Sequence, residues 1–484
     1  MNTDSSQVRD TAAPFSPSRQ TWLLIVMLTL LNMYLFMYHP RSIRFTVLAF
    51  PFLLAGLYLL KDLRSWALML PIAVTFGNKA IEYGQFYTSP ATLAIILVFF
   101  AFAVHRLAGF RDNPPFPIPF KLVGLAYLAQ LASVFATLYH HDNLFWNVIR
   151  EGHKHFLGAL LLPVVYFWFG RGEWLERFLK VLVLMLFIMC LYGIYQYTSG
   201  TLDNLGDLAS GFDLAGRVYS TIAGGPNSYS GVLELLVPST LAASFFFRER
   251  FWKGLAVITT ILGILNTLYT FSRGGFLTVT GACLVYLIFR YRKRIWVPIL
   301  SFLVFFGFVS SNSGEFERQL TVFSDPRELM LDTSLLHRYV SYMGFIEEME
   351  KDPLEGIGWG GVEYYHGRTA LYGFWEVRHM DSVDKINRFG GLNSLILEMP
   401  LKGGALSALS LLLVVSGGCI AAARTLRNRK TVQLGFGFVC GLAGFGVHQL
   451  FDNLIPWPQT GAFFWIIFAL LTAMAFPCCM KEEY

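Results

Sequence analysis

The chain has 484 residues, 55% of them hydrophobic and only 14% charged, with a mean hydropathy of +0.50. Soluble domains carry about a quarter charged residues, so the composition excludes a water-soluble globular protein, and the net charge of +6 reads as loop asymmetry rather than as nucleic-acid affinity. What remains is an all-α polytopic membrane protein, whose 45 Phe suit lipid-facing helices and interfacial belts.

Residues 1–20 are polar and carry Ser and Pro, which reads as a disordered cytoplasmic N-terminus. The apolar segment that follows has no small-residue cleavage site and reads as an anchor rather than a cleaved signal. Apolar segments then fall near 21–38, 45–60, 65–76, 91–105, 120–138, 156–170, 178–197, 228–247, 255–271, 275–289, 295–311, 394–422, 434–450 and 460–476. A span needs ~20 residues, so 65–76 and 156–170 are short and read as tilted or re-entrant. The expectation is about 12–14 transmembrane helices in two blocks, 21–311 and 393–476, with a cytoplasmic tail at 477–484.

The apolar run from Leu255 to Phe289 is too long for one span. It must be two helices that turn at Ser272-Arg273-Gly274-Gly275, which puts an arginine at a membrane face, where a charge is costly unless it has a task or reaches water. With the N-terminus placed in the cytoplasm, the inner loops hold Lys61 and Arg64, Arg106 and Arg111, Arg171 and Arg177, Arg248 and Arg250, the cluster Arg290 to Arg294, and the cluster Arg424 to Lys430. The short outer loops hold few cations, among them Arg217 and Arg273, as the positive-inside rule requires. The polar stretch 312–392 becomes one large periplasmic loop, and loops of about 80 residues inside a compact protein are usually functional.

Polar chemistry therefore collects outside. Arg217, followed by Gly224-Gly225-Pro226-Asn227, is either a turn whose Asn227 caps a helix or an anion site shared by an arginine and a helix N-terminus. In the large loop, Tyr339, Tyr342, Phe345, Ile346 and Met349 recur at helical spacing opposite Glu347, Glu348 and Lys351. That pattern predicts an amphipathic helix at the membrane surface. Gly356-Ile357-Gly358-Trp359-Gly360-Gly361 follows no predicted strand and is no nucleotide loop; it reads as a turn packed tightly against the membrane domain. Arg378, His379, Asp381, Asp384, Lys385 and Arg388 read mostly as solvated surface, and His448, Asp452 and Asn453 either as a satisfied polar cluster or as part of a site. Nucleophile-elbow, zinc and P-loop signatures are lacking. The six Cys have no metal-ligand spacing and read as packing residues.

The order of these features resembles the O-antigen ligase and O-antigen polymerase superfamily. The resemblance rests on Arg217 with Pro226-Asn227; on Ser272-Arg273-Gly274-Gly275; on Arg338 followed by Asp352-Pro353-Leu354 and Gly356-Ile357-Gly358; on Asn393 with Glu398 and Gly403-Gly404; and on His448-Gln449-Leu450-Phe451-Asp452 with Pro458. It implies a GT-C-like glycosyltransferase of the bacterial inner membrane. Such an enzyme takes a glycan from undecaprenyl diphosphate at the periplasmic face and passes it to a lipid-linked glycan or to lipid A core. It works amid membrane lipid, alongside a flippase and a chain-length regulator. No cofactor, metal or nucleic acid is implied.

In that family Arg273 and Arg338 would grip the diphosphate, and Arg217, Asn227, Ser272, Asn393, Glu398 and His448 would line the substrate. Family ligases carry His-Asn where this chain has Leu392-Asn393, and leucine cannot accept a proton. His337, His379, Asp381 and Glu398 are the substitutes for that base. The missing histidine favours a repeat-unit polymerase, inverting and metal-independent. An O-antigen ligase is the second reading, and a lipid or glycan transporter, which would show repeats and midplane polar groups, the third.

Overall fold

The computed structural model describes residues 63–76, 81–83, 86–108, 115–140, 148, 154–199, 217–222, 225–296, 353–359 and 394–477, with isolated positions 299–300, 303, 307, 342, 345–346 and 349–350 between them. The expected segments 21–38 and 45–60, most of 295–311 and most of the large loop lie outside the described residues. The short segment at 65–76 is a pair of helices, α1 (Leu63–Leu68) and α2 (Leu70–Phe76). A two-stranded antiparallel hairpin follows, β1 (Ile81–Tyr83) and β2 (Phe86–Thr88), which an all-α expectation did not include. The chain then runs through α3 (Pro90–Ala108) and α4 (Ile118–His140). The short segment at 156–170 is a 3₁₀ turn (Leu157–Leu160) leading into the nine-residue α5 (Leu161–Phe169).

The long helices follow: α6 (Gly172–Ser199), α7 (Gly225–Phe246), α8 (Arg250–Tyr269), α9 (Arg273–Arg290), α10 (Leu395–Arg427), α11 (Val432–His448) and α12 (Pro458–Ala475). Among the described residues, six helices are long and apolar enough to cross a membrane. The run 255–289 is two helices, as length requires, broken at Thr270–Ser272. Central α7 and α12 are buried along nearly their whole length, whereas α4 and α10 leave Leu125, Leu128, Phe135, Leu409, Leu412 and Val415 exposed, as lipid-facing helices do.

Buried polar side chains join the helices where lipid offers no other partner. Asn266 of α8 donates to the carbonyl of Cys190 on α6 at 3.1 Å and accepts from the Tyr229 hydroxyl of α7, also at 3.1 Å. Ser407 and Ser410 of α10 both donate to Gln130 Oε1 of α4.

Helix α10 is broken. Pro400 removes one backbone donor, and Gly403 and Gly404 leave helical geometry, Gly404 at φ 58° and ψ −150°. The freed groups find partners in the turn Pro353–Trp359 and on α4. Ala405 N–H donates to the Leu354 carbonyl at 3.0 Å, Ile357 N–H to the Leu401 carbonyl at 2.8 Å, and the Ser133 hydroxyl to the Gly403 carbonyl at 3.0 Å. Trp359, with 0% exposure, donates its indole N–H to Ser133 Oγ at 2.9 Å. The glycine-rich turn thus packs against the membrane domain, as its sequence suggested. Non-helical backbone inside a spanning bundle is tolerated only where protein satisfies it in this way.

One end of the bundle is basic. It carries Arg171, Arg177 and Lys180 at the start of α6, Arg248, Arg250 and Lys253 around the start of α8, Arg290 to Arg294 after α9, and Arg424 to Lys430 between α10 and α11. At the other end α9, α10 and α12 begin while α8 and α11 finish.

Candidate active site

Two polar clusters occupy the end opposite the basic one. The first is a chain of hydrogen bonds. Arg217 donates through Nε to the Thr270 carbonyl at 2.9 Å and through Nη2 to Asn227 Oδ1 at 3.0 Å. Asn227 donates to Asp452 Oδ2 at 2.7 Å. Asp452 Oδ1 accepts from the Asn453 backbone N–H at 2.9 Å, and the Asn453 side chain donates to Glu398 Oε2 at 2.6 Å. Glu398 Oε1 is ion-paired with Lys402, and both side chains are buried. Asn227 lies inside the first turn of α7 rather than capping it. Pro226, which lacks an N–H, suits a helix start, so the Asn227 amide is left to bridge Arg217 and Asp452.

The second cluster surrounds the first turn of α9. Ser272 caps that helix, its hydroxyl accepting from Gly275 N–H at 3.3 Å, and Arg273 is the first helical residue. Beneath the turn, Glu234 of α7 and His448 of α11 meet at 2.5 Å through Oε1 and Nδ1. Gly275 leaves no room for a side chain, and Gly274 only a tight fit. A Cβ on Gly275 would lie 1.5 Å from Ser230 Oγ and 3.2 Å from Glu234 Oε1, and one on Gly274 would lie 3.2 Å from His448 Nε2. The turn itself is held from the side: Val218 N–H donates to the Tyr269 carbonyl at 2.9 Å, and Ser272 N–H to Thr270 Oγ1 at 3.2 Å. Phe271 takes φ 52° there, a conformation that costs a β-carbon residue about 1–3 kcal/mol and persists only where the surroundings impose it.

The structure therefore gathers Arg217, Asn227, Glu398 and Asp452 in one chain, and Ser272, Arg273 and His448 in the other cluster. His448 and Asp452 are joined through backbone, Asp452 N–H donating to the His448 carbonyl at 3.0 Å. His337, Arg338, His379, Asp381 and Asn393 lie outside the described residues. Sequence reasoning did not single out Glu234 or Lys402. Glu234 is a lone charge inside an apolar segment and Lys402 shares one with Glu398; charges so placed mark functional positions because they are costly in a membrane.

Chemically, the first turn of a helix presents unpaired N–H groups and the positive end of the helix dipole. An arginine there adds a planar fork that matches phosphate oxygens. Residues 258–386, from within α8 through α9 into the large loop, match the family model described as O-antigen ligase. No curated protein matches the chain.

Proposed function

We propose that this chain, a member of the O-antigen ligase/polymerase superfamily, is a polysaccharide repeat-unit polymerase of the bacterial inner membrane. It takes the growing glycan from undecaprenyl diphosphate and passes it to a lipid-linked glycan at the periplasmic face. The observation that carries this reading is Arg273 at the N-terminus of α9, over a buried polar cluster, at the end opposite the basic loops. The positive-inside rule makes the basic end cytoplasmic. The donor is already activated by its diphosphate, so the reaction needs no nucleotide outside the cytoplasm. Negative charge grows on the departing diphosphate in the transition state. Groups fixed in place before the reaction stabilise it there without having to reorganise. Arg273, at the positive end of the α9 dipole, is such a group, and Arg217 stands near it through Thr270.

One displacement by an acceptor hydroxyl inverts the anomeric carbon. Polymerase is preferred because Leu392 stands where family ligases carry histidine. The ligase reading is favoured by the description of the matched family model. A single experiment separates the two: surface polysaccharide from a deletion strain complemented with wild type or with Arg273→Ala. Single repeat units still attached to acceptor, with long chains lost, support polymerase. Lipid-linked polymer that accumulates unattached supports ligase. Normal polysaccharide from a stably inserted Arg273→Ala variant would refute both.

A further inference from the structure

The cations at the basic end of the bundle are not evenly compensated. Around the starts of α6 and α8 they have acids beside them. Lys180 Nζ lies 2.7 Å from Glu249 Oε1 and 3.1 Å from Glu176 Oε1, and Arg177 Nη2 lies 2.8 Å from Glu173 Oε2. The corner where α9 ends and α11 begins is different. Arg290, Arg292, Lys293 and Arg294 lie there, and four more cations stand from Arg424 to Lys430. The sequence has no Asp or Glu between Glu249 and Glu315, or between Glu398 and Asp452. Among the described residues no ion pair reaches any of these cations. The two groups are neighbours, because α9 packs against α11 and the Phe289 and Phe436 rings lie 4.2 Å apart. The positive-inside rule accounts for cations at this face, but not for their separation from the acids.

Arg290 closes the last turn of α9. Its guanidinium carbon lies 5.2 Å from the Phe245 ring centre and 5.9 Å from that of Tyr291, and its Nε is buried without a hydrogen-bond partner. Arg424 is held in the same manner, 4.3 Å from the Phe476 ring centre. Ring faces attract a cation, but they leave its net charge uncancelled. Arg292, Lys293 and Arg294 are exposed on the 3₁₀ turn that follows α9. Like charges crowded at one corner repel one another and destabilise the compact state unless a counter-charge joins them. The surface beside them is apolar: Ile295, Trp296, Leu300 and Leu303 are all exposed. A tryptophan beside arginines at a helix end is the pattern of the headgroup layer. A soluble acidic partner would match the cations but not that apolar rim, whereas a phospholipid matches both, with its phosphate and with its acyl chains.

We propose that the corner between the end of α9 and the start of α11 is a binding surface for anionic phospholipid headgroups of the cytoplasmic leaflet. Arginine forks match phosphate oxygens, and an anionic leaflet attracts each cation near its surface. The lipid supplies the counter-charge that the protein lacks there. It also braces α9 against α10 and α11, because the cations come from the ends of all three helices. At their opposite ends α9 starts with Arg273 and α11 finishes with His448. The surface is remote from those residues, and its assignment does not depend on the reaction proposed above.

The test uses the purified full chain in a neutral detergent, titrated separately with phosphatidylglycerol, phosphatidylcholine, inorganic phosphate and polyglutamate. Thermal unfolding reports stabilisation, and native mass spectrometry counts bound lipid. Wild type should be stabilised by phosphatidylglycerol and not by the other three, and less so at high salt. Arg290→Gln with Arg427→Gln should weaken phosphatidylglycerol binding about tenfold or more. Arg292→Gln with Arg294→Gln, both at exposed positions, should show the same loss and keeps the test decisive if the first pair fails to fold. Arg248→Gln with Arg250→Gln removes equal charge from the corner that holds acids and should bind as wild type does. Equal loss from both corners would reduce the effect to net charge and overturn the proposal, as would a wild type indifferent to phosphatidylglycerol. Stabilisation by inorganic phosphate as strong as by phosphatidylglycerol would point to a free anion, and stabilisation by polyglutamate to an acidic protein segment; either would overturn the lipid assignment.

Discussion

The docked turn at the break in α10 makes the sharpest structural prediction, through Gly404→Ala. Two costs follow from the geometry. Gly404 sits at φ 58° and ψ −150°, a region open almost solely to glycine, and forcing a β-carbon residue into it costs about 1–3 kcal/mol. The new methyl would lie 1.9 Å from the Leu354 carbonyl oxygen, so the turn must leave. Its departure breaks the Ala405–Leu354 and Ile357–Leu401 backbone bonds, worth about 1 kcal/mol each. The sum is about 3–5 kcal/mol before any loss of Trp359 burial. Gly124→Ala on α4 is the control: nothing lies within 4 Å of its β-carbon, and alanine is the better helix former by about 1 kcal/mol. Thermal unfolding in detergent and limited proteolysis report the outcome. Gly404→Ala should lower the melting midpoint and open new cleavage within 353–359, while Gly124→Ala should match or exceed wild type. Equal midpoints and equal protease resistance for Gly404→Ala and wild type would refute the docking argument.

Further outcomes can be stated. Lys402→Met leaves Glu398 buried without its cation, an arrangement that typically costs about 3–5 kcal/mol; pairing it with Glu398→Gln should recover more than half of the lost detergent stability, and a single variant as stable as wild type would count against the pair. For orientation, a cysteine at Glu355, which is exposed on the docked turn, should react with an impermeant thiol reagent in whole cells, whereas one at Arg292, exposed at the basic end, should react only after permeabilisation; the reverse pattern would invert the topology.

The helices were legible because apolar length and breaks in it are physical requirements of a bilayer. The division of 255–289 at Ser272 followed from that logic, and the docking of 356–359 from a glycine-rich turn that follows no strand. The short segments 65–76 and 156–170 were recognised as unlike full spans, but their resolution into a helix pair and a 3₁₀-led helix depends on tertiary packing. Of the two readings of Asn227, the cap fails because Pro226 already takes the helix start. The connections from Arg217 to Lys402 could not be read from sequence, because bonded members lie up to 225 positions apart, as Asn227 and Asp452 do. Glu234 was hidden differently. Only its charge within an apolar run betrayed it, and its partner His448 becomes evident only when α7 and α11 lie side by side.

The large loop is tied to both polar clusters, which bears on how the site is completed. Tyr342 donates its hydroxyl to the Leu450 carbonyl at 2.7 Å, two residues beyond His448. Trp359 stacks under Lys402, whose Nζ lies 5.9 Å from the ring centre, and so touches the partner of Glu398. Through these two contacts, Tyr342 and the turn 353–359 are coupled to the two clusters. Weakening either anchor, by Tyr342→Phe or Trp359→Phe, should therefore lower activity by disturbing the clusters as well as the bundle.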